Sequence, residues 1–102
     1  MTAFRGTFAV PKPILGMLHL GGDNPADRLT RAVEEARIMA GEGIDGLVVE
    51  NYFGDAVDVE PVLERLLGLD LGPCIGINVL HDNAHAFALA HRYPVTFMQI
   101  DS

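Results

Sequence analysis

Four short apolar runs divide the chain, and the stretches between them repeat apolar residues at helical spacing. The first run, residues 13–20, is bounded by Pro13 and by Gly21-Gly22, as befits a strand buried on both faces. Asp23 or Asn24 then caps a helix with Pro25 in its first turn. Leu29, Ala32, Val33, Ala36 and Met39 form its buried face, and Gly41 or Gly43 ends it. A second strand is expected at 46–50, around Leu47-Val48-Val49. Asp58 caps a second helix with Val59, Val62, Leu63 and Leu66 on one face, and that helix breaks between Gly68 and Gly72. A third strand follows at 74–79. Asp82 or Asn83 caps a third helix with Phe87 and Ala90 on its buried side, and a fourth strand spans 95–100.

Strands alternating with helices across loops of a few residues predict parallel βαβ units. The fold class is therefore α/β, and two closures satisfy the pattern: an open doubly wound sheet, or the N-terminal half of a TIM-type (β/α)₈ barrel with strand order 1-2-3-4. At 102 residues the chain is one domain's worth or less, and in the barrel closure residues 1–102 make a single partial domain, since closed barrels run to about 250 residues.

Charge narrows the partners. Fourteen acidic residues against 7 basic ones give a net charge of -7, and the basic residues are scattered, so nucleic acid is not an expected partner. No apolar stretch nears the ~20 residues of a spanning helix, so no integral membrane segment is expected. The single cysteine, Cys74, has no intrachain partner for a disulfide and fits a cytoplasmic location. Two free sheet edges predict a homo-oligomer or completion by a second barrel half.

In either closure the ligand site lies at the C-terminal ends of the strands, and polar residues collect there. Strand one ends near His19, strand two at Glu50-Asn51, strand three at Asn78 before His81-Asp82, and strand four at Gln99 and Asp101. A small-molecule ligand is the expected partner, with His19, Glu50 and Asp101 as catalytic candidates and Asn51, Gly54, Asp55, Asn78 and Gln99 as binding candidates. Plainer readings stand beside these. His19 can be a satisfied core histidine, Glu50 a partner for an arginine, and Asn51 and Asn78 caps for turn backbones. In the loop Tyr52-Phe53-Gly54-Asp55, Gly54 permits an unusual backbone conformation and the aromatics can wall a pocket. His81 and His85 are four apart, but with neither a His-Glu-x-x-His pattern nor a cysteine pair no metal site is assigned. Glycine-rich dinucleotide and phosphate-loop fingerprints are missing, and the lone lysine, Lys12, precedes strand one at the wrong end for a Schiff base. The cofactor is left unknown.

Three segments resemble successive motifs of the BtpA/SgcQ family: residues 12–20, then 43–51 with Phe53-Gly54-Asp55, then 75–80 with Asp82-Asn83-Ala84. The resemblance implies a barrel roughly twice this length or more, of which this chain is the N-terminal half. His19, Glu50, Asn51, Gly54, Asp55 and Asn78 are the positions that match. The sequence departs from the family pattern in having Gly21-Gly22-Asp23 after His19 and Tyr52 inserted before Phe53. The family takes its name from a factor in photosystem I biogenesis, and other members resemble sugar-catabolism proteins. The reading that follows is an enzyme acting on a small polar metabolite, a sugar or nucleoside derivative, with Glu50 as acid or base and His19 as its partner. The alternatives are a non-catalytic assembly factor that binds a protein, and a truncated chain inactive alone.

Overall fold

A computed structural model describes residues 12–100. Four strands, β1 (Leu15–Leu18), β2 (Gly46–Glu50), β3 (Cys74–Asn78) and β4 (Phe97–Met98), alternate with helices α1 (Pro25–Gly41), α2 (Val59–Leu69) and α3 (Asn83–Arg92); a 3₁₀ turn, Ala56–Asp58, leads into α2. All strand pairs are parallel and lie in the order β1-β2-β3-β4. This is half a (β/α) barrel, and the doubly wound alternative, which places β1 between other strands, is excluded.

The strands alternate faces, and only one face carries helices. Leu18, Leu47, Val49, Ile75 and Ile77 form the helix side of the core, packed on Ala32 and Ala36 of α1, on Val59, Val62, Leu63 and Leu66 of α2, and on Ala86 and Leu89 of α3. Phe87 departs from expectation. It is 56% exposed, because the helix turns Ala86 and Leu89 inward and so points Phe87 to solvent. Met98 pairs with Ile77 and packs on the helix side.

The opposite, inner face carries Leu15, Met17, Val48 and Phe97. Val48 is nonetheless fully buried. One reason is local: Gly76 has no side chain, and the ring of Phe97 lies across its Cα where a Cβ would overlap it.

Caps explain where the helices start. Asn24 accepts the Asp27 N–H at 2.8 Å, with Pro25 in the first turn, and Asp82 rather than Asn83 accepts the His85 N–H at 3.0 Å. Asp58 precedes α2 but makes no capping bond to it, because its carboxylate is engaged elsewhere. β1 and β4 are shorter than the expected strands at 13–20 and 95–100.

Candidate active site

Continuing the register one step past β1 and β4 places His19, Glu50, Asn78 and Gln99 in one row across the inner face, at the C-terminal end of the sheet. Glu50 and Asn78 are paired directly. Glu50 is 7% exposed and Asn78 1% exposed, so a carboxylate and an amide are buried at the rim. The Asn78 Nδ2–H donates to Glu50 Oε1 at 3.3 Å, and His19 Nε2 stands 3.5 Å from Glu50 Oε2. His19 is not a core histidine, for its side chain is 43% exposed. With an imidazole on the solvent side and an amide on the buried side, the carboxylate can exchange a proton only with His19 or with something that enters from the rim.

The loop after β2 covers His19. Tyr52 and Phe53 meet edge-to-face at 4.7 Å, and the His19 ring lies 5.0 Å from Tyr52 and 5.8 Å from Phe53. Both aromatics are mostly exposed. The Phe53 N–H donates to the His19 carbonyl at 2.9 Å, which fixes this loop to the end of β1.

Gly54 is needed for a different reason from the one expected. Its φ is not positive; a Cβ there would lie 2.9 Å from the Leu20 carbonyl oxygen and 2.9 Å from Asp58 Oδ2. Close approach, not unusual backbone, requires the glycine. Left-handed conformations occur instead at Leu20 and His81, with φ of 58° and 64°, in the loops after β1 and β3, and at Asp70, with φ of 50°, where it ends α2. Such backbone is costly for residues other than glycine and gathers at functional rims.

The remaining candidates are spread out. Asn51 Oδ1 accepts the Leu80 N–H at 2.6 Å, so this side chain ties the β2 loop to the β3 loop. Asp55 is exposed, and its N–H donates to Asp58 Oδ2 at 2.7 Å. Gln99 is exposed at the end of the row, and Asp101 lies outside the described residues. His81 precedes α3 and His85 sits within it, so the two do not share a helix face. Among the described residues no three His, Cys, Asp or Glu groups converge as a metal site.

Sequence reasoning missed the latch beneath the rim. Arg28 Nη1 meets Asp58 Oδ2 at 3.1 Å, Arg28 Nε–H donates to the Gly22 carbonyl at 3.3 Å, and Asp58 also holds the Asp55 N–H. Arg28 and Asp58 are 30 residues apart, and nothing in the local pattern pairs them.

A second cluster lies away from the rim, between α2 and α3. Glu60 Oε2 accepts from Arg92 and from the Tyr93 hydroxyl, each at 2.6 Å, and the same hydroxyl lies 3.2 Å from Glu64. The hydrogen bond to Glu60, then burial and Glu64, push the Tyr93 phenol up to about 12. The Tyr93 and Arg92 hydrogen bonds hold the Glu60 carboxyl below its ordinary value.

No family model and no solved structure matches the chain significantly. It is 32% identical, over 93% of its length, to the photosystem I biogenesis protein BtpA of a Synechocystis strain. It is 27% identical, over 88% of its length, to an uncharacterized protein of Methanocaldococcus jannaschii. It spans 40% and 41% of these relatives. On that likeness, carried across nearly all of its own length, the chain has a family relationship to BtpA.

Proposed function

We propose that the C-terminal rim binds a small polar metabolite of sugar or nucleoside type, and that Glu50 acts there as acid or base with His19 as its partner. The observation that carries this reading is the buried Glu50 carboxylate held between Asn78 and a half-exposed imidazole 3.5 Å away. A buried carboxylate is costly unless a partner or a reaction uses it, and no arginine or lysine side chain is paired with it among the described residues. In this reading Asn78 and Gln99 orient ligand hydroxyls, Asn51, Gly54 and Asp55 shape the covering loop, and Asp101 is a second carboxylate. The reaction is unassigned, and the site works in the cytoplasm, in a protein whose barrel is completed by a second half or a second copy.

The test is thermal stabilisation of the protein by a panel of neutral sugars and nucleosides, repeated with Glu50→Gln. A ligand that raises the melting temperature of the wild type and fails with Glu50→Gln supports the rim. Equal stabilisation of both removes Glu50 from the site. A second reading follows the name of the cyanobacterial relative: a non-catalytic biogenesis factor that binds a protein partner. Phe87, exposed on α3, is the apolar side chain it would use. Phe87→Asp then weakens partner binding and Glu50→Gln leaves it unchanged.

A further inference from the structure

One buried polar atom of the rim has no partner. Asn78 is 1% exposed, and its Oδ1 accepts no hydrogen bond. The amide cannot be turned over to cure this, since Nδ2–H donates to Glu50 Oε1 and reversal would set two acceptors against each other. The row thus presents one buried acceptor without a donor, Asn78 Oδ1, beside a Glu50 carboxylate on the paired strand about 4.8 Å away, whose Oε1 takes the Asn78 amide and whose Oε2 faces His19. An unfilled buried acceptor is costly and marks a place where a donor belongs.

Building on the rim reading above, we infer that the ligand offers a vicinal pair of hydroxyls to Glu50 and Asn78, with its apolar ring face against Tyr52 and Phe53. Neighbouring hydroxyls donate in two directions from adjacent carbons, which matches two acceptors on adjacent strands. One hydroxyl donates to the Glu50 carboxylate, and the other reaches Asn78 Oδ1 directly or through one water. Glu50 is the only carboxylate in the row of His19, Glu50, Asn78 and Gln99, which disfavours an anionic ligand beside it. An ammonium ion is the competing donor, and a charged probe beside the diol separates the two. One exposed ring face of this edge-to-face pair supplies the flat apolar surface that the C–H face of a sugar ring needs.

The experiment is an NMR titration of the ¹⁵N-labelled protein, following the Asn78 side-chain amide and the His19 ring, with four probes: methyl β-D-ribofuranoside, its 2-deoxy analogue, methylammonium and inorganic phosphate. The ribofuranoside shifts both signals, and the 2-deoxy analogue, which lacks the vicinal pair, binds about tenfold more weakly for one lost hydrogen bond. The ligand-side comparison needs no mutant to fold; Asn78→Leu, where it folds, reproduces the same loss. Equal binding of the two glycosides, or binding of methylammonium or phosphate in their place, overturns the diol. If another metabolite binds in a Glu50-dependent way while neither glycoside moves Asn78, the diol inference falls and the rim reading stands. Silence of all probes at both residues overturns the inference as well.

Discussion

Removing the Arg28 guanidinium is the sharpest test of how the rim is held. Its side chain is 18% exposed and that of Asp58 only 4%, so the substitution Arg28→Met strands a nearly buried carboxylate. Breaking a buried pair from one side costs about 3–5 kcal/mol. Two features lower this toward about 2–3 kcal/mol: Asp58 keeps the Asp55 N–H, and Arg28 is partly solvated. In a domain of this size that lowers the melting temperature by roughly 10–20 °C. Urea unfolding followed by circular dichroism measures the loss. Arg31→Ala is the control, because Arg31 is 55% exposed and pairs with Asp27 across one helical turn, where solvent screens the pair. Arg28→Met should also speed hydrogen exchange at the Phe53 N–H, because the latch joins the loop after β1, through Gly22, to the loop after β2, through Asp55. An Arg28→Met protein as stable as Arg31→Ala, with Phe53 still protected, refutes the idea that the latch holds the rim.

Three further outcomes are expected. Gly76→Ala forces its Cβ into the Phe97 ring and costs about 1–3 kcal/mol in denaturant unfolding; Gly76→Ala combined with Phe97→Leu should cost less than the sum of the two, and strict additivity would show that the ring does not lie across Gly76. The Tyr93 phenol is raised in the folded state, so its contribution to stability is present below the unfolded value of about 10 and is lost as pH climbs through about 12, while the lowered Glu60 contributes above its unfolded value and loses that contribution as pH falls. Ultraviolet titration should show a late-ionising phenol that Tyr93→Phe removes, and a profile unchanged by that substitution contradicts the hydrogen bond from Tyr93 to Glu60. A polypeptide of these 102 residues, with β1 and β4 as outer strands of the described sheet and an apolar inner face, should self-associate at micromolar concentration in sedimentation; a soluble monomer would mean that this face is covered another way.

Periodicity alone settled the order of elements. Leu47-Val48-Val49 and Cys74 to Asn78 read as buried strands, and Val59, Val62, Leu63 and Leu66 share a face whatever they pack against, because a strand repeats every two residues and a helix every 3.6. The ends of the strands were legible for the same reason: polar residues closing an apolar run stand out, and His19, Glu50, Asn78 and Gln99 do so here. What closed the sheet in the order β1-β2-β3-β4 was long-range pairing, to which local patterning is blind. Phe87 shows the limit inside a helix, where short residues leave the phase of the buried face open and contact with β3 turned Ala86 and Leu89 inward. Arg28 and Asp58 find each other across 30 residues, Gly54 is required by the approach of the Leu20 carbonyl, and Phe97 takes the space left by Gly76. Each depends on distances between segments remote in sequence, so only the tertiary structure decided them.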